Sequence, residues 1–389
     1  MANINDYLNW RGDLLINKDT PFNEIDSMIL ARFSYLRFDK IKMNDIETVA
    51  SISEKMQVLD NEEFLYDGDK ELITNLGKSN RFKNMQVTDY IKKFDKQVEK
   101  QFGAVTIHIS EEEIYISFIG TNSTITGWKE DFNMAFMDNV PCQIEGKSYL
   151  ESIASKYQNK KLRIGGHSKG GNVAIYSAIT ASKEIQDRII KGYNYDGPGF
   201  NKKTIEQYKN SNILSKLVTY MPQDSIIGRI LDHQEKCEIS LSLEKGIYQH
   251  DIYSWQVLRD DLIKSEKMTD TSDAMGNTLK EWLETTSPEQ RKIFFDEIFE
   301  LFYSTEASRF AEIQKNLSKN IVKIFKAYGE ISDEDKKTIT DMLKLFVKVY
   351  VSEIMEQNNN RLEAMKEYYK AESMKKIEKL DKKYFNKLI

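Results

Sequence analysis

The sequence predicts an α/β fold with a mostly parallel central sheet, followed by an all-helical C-terminal extension. Short β-rich runs alternate with helical patterns in the first part of the chain, which is typical of a parallel sheet flanked by helices. Four of the five prolines and sixteen of the eighteen glycines precede residue 266, so turn-rich sequence gives way there to long helices. We therefore predict an α/β domain over residues 1–265 and a helical domain over residues 266–389.

The strands of the first domain are predicted from their β-rich composition. Residues 104–109 and 114–119 are separated by four polar residues, which predicts an antiparallel hairpin. Residues 172–180 carry apolar side chains at helical spacing and are predicted as a helix. The segment 60–101 is polar with scattered aromatic residues, and we expect a pair of surface helices there rather than a lid. The remaining predicted strands lie at residues 162–164, 192–196, 217–221 and 237–243.

Capping signals predict the helices of the last domain. Ser287 and Gln290 form a capping box, and the apolar residues that follow recur at helical spacing. A second helix is predicted to end at Gly329, and Ser332 is predicted to cap a third. A charged helix follows over residues 361–388, where the last thirty residues carry nine Lys or Arg and five Asp or Glu. A solvated helix face is the simpler interpretation, and contact with an anionic membrane surface is the alternative.

Composition and charge exclude several classes of function. The formal net charge is −5, so nothing favours nucleic-acid binding. Cys142 and Cys237 are too few for a disulfide framework, and without a CxxC pair a thiolate zinc site is not expected. Neither an apolar leader nor a run of about 18 uncharged apolar residues is visible. We therefore expect a cytoplasmic protein that needs no metal and no organic cofactor, and the oligomeric state stays open.

A Gly-x-Ser-x-Gly sequence, from Gly166 to Gly170, lies between a predicted strand and a predicted helix. A serine presented for attack sits on a sharp strand-to-helix turn, where side chains two residues before and after it would clash. The dipole of the following helix stabilises negative charge near such a serine. An ordinary glycine-rich turn is the simpler alternative, but neither a P-loop nor a GxGxxG pattern is present. We predict that Ser168 is a nucleophile.

A nucleophilic serine needs a base, and the chain offers four histidines. His108 lies in a predicted strand before the turn that carries Ser168, whereas the usual chain order places the histidine last. His167 is adjacent to Ser168 and is expected to point away from the hydroxyl, as a packed core histidine. His250 lies in a loop that can reach the sheet edge, whereas His233 lies in polar sequence typical of a surface. We therefore favour His250 over His233 as the base.

The acid that orients the histidine is expected in a loop after a strand. Asp196 ends the predicted strand that follows the helix predicted over residues 172–180, and Asp224 follows the next strand. An acid one strand further along reaches the histidine loop more easily, so Asp224 is favoured, while Asp196 would otherwise be a structural turn residue. The choice between these two carboxylates stays open.

An oxyanion hole needs two hydrogen-bond donors. One is expected from the backbone N–H of Lys169, the residue after the serine. The other is expected from the loop after the predicted hairpin, where the N–H of Thr121, helped by its hydroxyl, is the candidate.

These residues together resemble the class 3 lipases, a branch of the α/β-hydrolases. The shared motifs are FIGT at 118–121, W-x-x-D at 128–131, GGHSKGG at 165–171, Asp224, and His250 with Trp255. The sequence is still more similar to a bacterial family of lipase-like hydrolases, the Mbeg-like proteins, in stretches 6–13, 21–24, 127–133, 165–174 and 195–200. The likeness covers about residues 1–260 and does not extend to the helical part.

The resemblance implies an α/β-hydrolase fold and a serine esterase or lipase-like enzyme acting on a small-molecule or lipid ester. It implies these site residues: Ser168 as nucleophile, Asp224 as acid, His250 as base and Thr121 in the oxyanion hole. Ile119 stands where class 3 lipases usually have Arg, so a buried ion pair is missing. Lys169 stands where they usually have Leu, and a cation beside the oxyanion is expected to alter substrate choice. The competing interpretation is an interaction scaffold that keeps the fold with little catalysis.

Overall fold

The computed structural model describes residues 2–122 and 124–385. Within these ranges, nine strands form one sheet in the order β1-β2-β3-β4-β5-β6-β7-β8-β11, and β9 pairs with β10 separately. The strands are β1 (Ile46–Thr48), β2 (Gln86–Asp95), β3 (Lys100–His108), β4 (Glu113–Phe118), β5 (Lys161–His167), β6 (Ile189–Tyr195), β7 (Leu217–Pro222), β8 (Lys236–Ser240), β9 (Val257–Leu258), β10 (Asp261–Leu262) and β11 (Lys264–Ser265).

Helices flank the sheet and make up the C-terminal part of the chain. They are α1 (Ile4–Arg11), α2 (Glu24–Phe33), α3 (Val49–Met56), α4 (Asp69–Lys78), α5 (Ile125–Asn133), α6 (Pro141–Lys156), α7 (Lys169–Thr180), α8 (Lys183–Arg188), α9 (Lys202–Tyr208), α10 (Asp270–Thr285), α11 (Pro288–Tyr303), α12 (Phe310–Lys315), α13 (Leu317–Glu330) and α14 (Asp333–Phe385). None of the helices in the described ranges is both long and apolar enough to cross a membrane.

The centre of the sheet is parallel, as the sequence predicts. Strands β4 to β8 run parallel to one another, whereas β3 and β4 form the predicted antiparallel hairpin. The hairpin register pairs Ala104 with Phe118 and His108 with Ile114. The predicted fold class, a mostly parallel α/β sheet followed by a helical extension, is therefore confirmed.

The prediction of two surface helices over residues 60–101 is wrong. This segment contains α4 but then continues into β2, which pairs antiparallel with β3. The inner part of β2 is buried at Val87 and Thr88, whereas the part beyond Lys92 is exposed. Strand β1 pairs only with Gln86–Thr88 of β2, so the rest of β2 lies at the edge of the sheet. This part carries the charged residues of a solvated surface, and its composition imitates that of a surface helix.

Two apolar layers cover the two faces of the sheet. Along β4, Ile114, Ile116 and Phe118 face the layer that contains α6 and α7. Tyr115, between them, faces the opposite layer, which is built from α1 to α4. Alternation of this kind follows from the two-residue period of a strand. Each fully buried apolar side chain contributes about 1.5–3 kcal/mol to the free energy of folding. These two layers therefore stabilise the central strands, whose ends carry the predicted site residues.

The C-terminal helices begin close to the predicted position. Thr269 caps α10, which starts at Asp270, and the predicted capping box of Ser287 and Gln290 opens α11. Helix α11 packs on α5, where the rings of Phe132 and Phe295 lie 4.9 Å apart. The division of the chain into two domains at residue 265 stays a prediction.

Helix α13 ends at Glu330, next to the predicted end at Gly329, and Ser332 caps α14 as predicted, but the division of the last helices differs from the prediction. The predicted second helix is divided at Asn316, whose ψ of 40° interrupts α12 and α13. The predicted third and fourth helices are one continuous helix, α14, because no Gly or Pro follows Asp333. Residues 386–388 of the predicted charged helix lie outside the described residues.

Candidate active site

Ser168 lies on the turn between β5 and α7 in a strained backbone conformation. Its φ of 57° and ψ of −135° fall in a region that L-residues rarely occupy. The N–H of Ser168 donates a 2.8 Å hydrogen bond to the carbonyl oxygen of Tyr195, the last residue of β6. Helix α7 begins at the next residue, so its N-terminal end points toward the serine.

The flanking glycines allow the close approach that this turn needs. A Cβ atom at Gly166 would overlap the carbonyl group of Gly170. A Cβ atom at Gly170 would overlap the carbonyl oxygen of Phe118 and crowd the N–H of Gly120. The Gly-x-Ser-x-Gly pattern therefore has the steric role that its spacing predicts, and it also brings the loop after β4 against the serine turn.

His250 and Asp196 form a close pair beside this turn. The Nδ1 of His250 lies 2.7 Å from Oδ2 of Asp196, and the two side chains are 15% and 1% exposed. The second oxygen of Asp196 accepts hydrogen bonds from the Ser225 hydroxyl and, at 3.2 Å, from the Gly228 N–H. A carboxylate held in this way keeps the imidazole proton on Nδ1, which leaves Nε2 free to accept a proton.

Asp224 occupies a different position from the one that the sequence favoured. Its carboxylate accepts hydrogen bonds from the Thr269 hydroxyl and, at 2.6 Å, from the Gly246 N–H. The 3-10 turn Gly246–His250 spans the two acids, so that its first residue meets Asp224 and its last meets Asp196. The partner of His250 is thus Asp196, the alternative, and the expectation for Asp224 is corrected.

His167 holds the histidine loop in place from the adjacent position. Its Nε2 lies 2.8 Å from the carbonyl oxygen of His250, and the two imidazole rings are 4.5 Å apart. Burial, together with the nearby His250 and Arg32, lowers the pKa of His167 well below its ordinary value. The ring is therefore neutral and donates its Nε2–H to the His250 carbonyl, in agreement with the predicted packed histidine. The adjacency to Ser168 was the signal for this role.

The other two histidines are committed elsewhere. His108 ends β3, where its Nε2 lies 3.1 Å from the Thr88 hydroxyl. His233 was expected at the surface, but its side chain is only 8% exposed. Its two ring nitrogens lie 2.9 Å from a Glu235 carboxylate oxygen and 2.9 Å from the Gly228 carbonyl oxygen. One polar neighbour of His233 in sequence, Glu235, is thus a buried hydrogen-bond partner rather than a surface residue.

The predicted oxyanion donors lie on two segments that meet at the serine. The Gln101 side chain binds the loop on both sides of Thr121, donating to the Gly120 carbonyl at 3.1 Å and accepting from the Asn122 N–H at 3.2 Å. The N–H groups of Thr121 and Lys169 have no hydrogen-bond partner among the residues that the structure describes. The Thr121 hydroxyl, expected to help bind an oxyanion, donates to Asp131 instead.

The side chain of Lys169 is buried and paired. Its Nζ lies 2.8 Å from Glu130 and 3.6 Å from Asp131, and the Lys169 side chain is 1% exposed. Burial alone would lower the pKa of Lys169, but the two carboxylates outweigh it and raise the pKa. The expected free cation beside the oxyanion is therefore absent at this position, because the ammonium is neutralised within the protein.

The carboxyl group of Asp131 has a raised pKa. Burial raises its pKa to about 6, and Lys169 and the hydrogen bond from Thr121 offset only part of this increase. The neighbouring Glu130 carboxylate adds to the rise. The charge of this small cluster therefore changes near neutral pH.

The described structure contains no hydrogen bond between the Ser168 hydroxyl and His250. Such contacts are often long in substrate-free sites and shorten when substrate binds.

A cavity of about 710 Å³ lies between α10 and the loops after β6 and β7, but neither Ser168 nor His250 lines it. In the two described ranges, no cluster of three or more His, Cys, Asp or Glu side chains is arranged to hold a metal ion.

A mostly parallel sheet with a serine on the strand-to-helix turn defines an α/β protein of lipase-like fold. The chain belongs to the Mbeg1-like family, whose family model matches residues 76–300, and the predicted resemblance is confirmed. The match continues past residue 260 through α10 and into α11, where no likeness was expected. A comparison with curated proteins finds no match.

Two lipases are among the solved structures that are similar to this chain. One is a fungal lipase in complex with an inhibitor, with a TM-score of 0.37 and 13% identity, covering 56% of this chain and 78% of that one. The other is M37 lipase, with a TM-score of 0.33 and 14% identity, covering 55% of this chain and 70% of that one.

Proposed function

We propose that this protein is a serine hydrolase that cleaves an ester or thioester through an acyl-enzyme. The observation that carries the proposal is the 2.7 Å pair of His250 and Asp196 beside the strained turn of Ser168. A nucleophile, a base and an acid that orients the base are the three groups that this chemistry needs.

In the proposed reaction, Nε2 of His250 takes the proton of the Ser168 hydroxyl as the serine oxygen attacks the carbonyl carbon. The backbone N–H groups of Lys169 and Thr121, both without partners in the described structure, stabilise the oxyanion. The protonated histidine then gives its proton to the leaving group, and the acyl group stays on the serine. Water, activated by the same histidine, releases the acid. Every proton in this sequence is moved by His250, so no cofactor is needed.

Labelling with a fluorophosphonate tests the proposal, because this reagent reacts with an activated serine. We expect one label on the intact protein, none on Ser168→Ala and an unchanged label on Ser148→Ala, whose hydroxyl lies on the exposed surface of α6. Hydrolysis of p-nitrophenyl esters of increasing chain length then measures the acyl preference. Absence of label and of turnover would leave the interaction scaffold as the better account.

One surface favours a second, narrower candidate, a lipid esterase that works at an anionic membrane. Helix α13 presents Leu317, Val322 and Phe325 to solvent with exposures of 54%, 68% and 71%, and Asn320 is buried on its other side. This is the reverse of a helix whose apolar face packs inward. The exposed residues Lys319 and Lys326 lie on the same helix, as in helices that bind anionic lipid surfaces.

Co-sedimentation with vesicles tests this second candidate. We expect binding to phosphatidylglycerol vesicles but not to phosphatidylcholine vesicles, and loss of binding in the variant Val322→Ser/Phe325→Ser. Val58→Ser is the matched control, because Val58 is 83% exposed elsewhere on the surface. Equal binding of wild type and the α13 variant would refute a role for this helix. Unchanged binding after removal of residues 361–389 would exclude the charged terminal segment as the membrane contact.

A further inference from the structure

The residue after the nucleophile carries a buried positive charge inside the protein. The side chains of Lys169 and Glu130 are 1% and 0% exposed, and Nζ lies 2.8 Å from the Glu130 carboxylate. Removing an ammonium group from water is costly unless a carboxylate and further hydrogen bonds compensate it. An apolar residue would fill this space without that cost, so the retained ion pair calls for a role beyond packing.

Glu130 joins three parts of the fold at this point. Besides Lys169 on α7, its carboxylate accepts a 2.9 Å hydrogen bond from the N–H of Gln101 on β3. Its other oxygen accepts a 2.8 Å hydrogen bond from the N–H of Cys142, at the start of α6. The carboxylate on α5 therefore connects the serine helix to the strand beside the oxyanion loop.

The same charge pair is connected to both sides of Thr121. Nζ of Lys169 lies 3.4 Å from Oε1 of Gln101, the atom that also accepts the Asn122 N–H. The Gln101 amide group donates to the Gly120 carbonyl, so this one side chain fixes the peptide groups around Thr121. Asp131, 3.6 Å from Nζ, accepts the Thr121 hydroxyl. The N–H of Thr121 is the group that these contacts leave free.

We propose that Lys169 and Glu130 are positioning residues that hold the Thr121 N–H at the distance from the Lys169 N–H that an oxyanion requires. The two donors lie on separate segments, the start of α7 and the loop after β4. Their separation therefore depends on the contacts that tie the segments together. Lys169 contributes one donor from its backbone and controls the other through its side chain. This inference rests on the proposed hydrolase function.

The variant Lys169→Met/Glu130→Gln tests the proposal, because it removes both charges of the 2.8 Å ion pair together, while Asp131, which lies 3.6 Å from Nζ in the wild type, keeps its hydrogen bond from Thr121. We expect kcat for a p-nitrophenyl ester to fall about 10²–10³-fold, the loss typical of a misplaced oxyanion donor, with KM within about threefold of wild type. The inhibition constant of a trifluoromethyl ketone, whose adduct carries the oxyanion, should rise by the same factor as kcat/KM falls. A role in stability alone would lower the melting temperature without changing kcat.

The matched control is Lys129→Met/Glu99→Gln, a second ion pair of α5. The Lys129 side chain is 4% exposed, and its Nζ lies 2.6 Å from Glu99 and 3.1 Å from Asp296. Among the residues that the structure describes, no contact links Lys129 to Thr121. We expect this variant to keep the wild-type kcat. A folded Lys169→Met/Glu130→Gln variant with kcat within threefold of wild type would overturn the proposal.

Hydrogen–deuterium exchange supplies a readout that does not need activity. Backbone amides of residues 119–122 should exchange at least tenfold faster in Lys169→Met/Glu130→Gln than in wild type, whereas those of β5 should not change. Unchanged exchange of residues 119–122 would also overturn the proposal. A wild-type protein that takes no fluorophosphonate label would instead refute the hydrolase function, whatever the exchange result.

Discussion

Replacing Asp196 by Asn separates its role at His250 from its role in the fold. The oxygen of the amide can still accept the hydrogen bonds from Ser225 and Gly228. The amide nitrogen then faces Nδ1 of His250 in place of the oxygen that lies 2.7 Å away in the wild type. Because an amide nitrogen only donates, the imidazole must carry its proton on Nε2, where it can no longer accept a proton from Ser168.

The expected loss in kcat is about 10⁴-fold, the size seen when this tautomer is reversed in a serine triad. At about 1.4 kcal/mol for each factor of ten, this corresponds to about 5.5 kcal/mol of transition-state stabilisation. The assay is steady-state hydrolysis of p-nitrophenyl butyrate, with the melting temperature measured in parallel. The fold should stay intact, since the buried acceptor bonds of Asp196 survive.

The matched control is Asp224→Asn, the other carboxylate at the end of a central strand. It weakens the hydrogen bonds with Thr269 and Gly246 and is expected to cost about 1–3 kcal/mol of stability. Its kcat should stay within about threefold of wild type, because the His250–Asp196 pair is untouched. A 10⁴-fold loss in Asp224→Asn together with a nearly normal Asp196→Asn would refute the assignment of the acid.

Three further predictions concern the surroundings of the serine. Gly170→Ala places a Cβ against the Phe118 carbonyl and should cost about 1–3 kcal/mol of stability, measured by urea unfolding, whereas an unchanged midpoint would contradict the overlap. His167→Phe keeps the ring packing but loses the hydrogen bond to the His250 carbonyl, and kcat should fall by up to about tenfold with no change in KM. The pKa of Asp131 is raised to about 6, so the folded protein binds this proton more tightly than the unfolded chain, and stability should fall as pH rises from about 4 to 6. Asp131→Asn should flatten this part of the stability profile, and identical profiles for both proteins would argue against the raised pKa.

Local signals predicted the features whose causes lie close together in the chain. The β3–β4 hairpin and the capping box of Ser287 depend on residues within a few positions of one another. Both are present in the structure. The continuity of α14 and the strand β2 were not predicted, because a helix without an internal break and a strand whose outer part is solvated leave only weak local signals.

The chain order of residues also left the burial of Lys169 undetermined. Lysine side chains are mostly exposed in folded proteins. No residue near Lys169 in the sequence indicates the carboxylates that neutralise it. Glu130 and Asp131 reach it only because α5 packs beside the start of α7. The sequence identified W-x-x-D and Lys169 as separate features, and packing brought them into one cluster.

The amino-acid sequence by itself indicated the turn at Ser168, since one steric limit on that turn, the overlap of a Cβ atom at Gly166 with the Gly170 carbonyl, acts between residues four positions apart in the chain. Only the tertiary structure decided which carboxylate meets His250. Asp196 and Asp224 both follow central parallel strands, and one short turn from Gly246 to His250 contacts both. The direction in which that turn crosses the strand ends is set by packing between distant segments, so no local pattern specifies it.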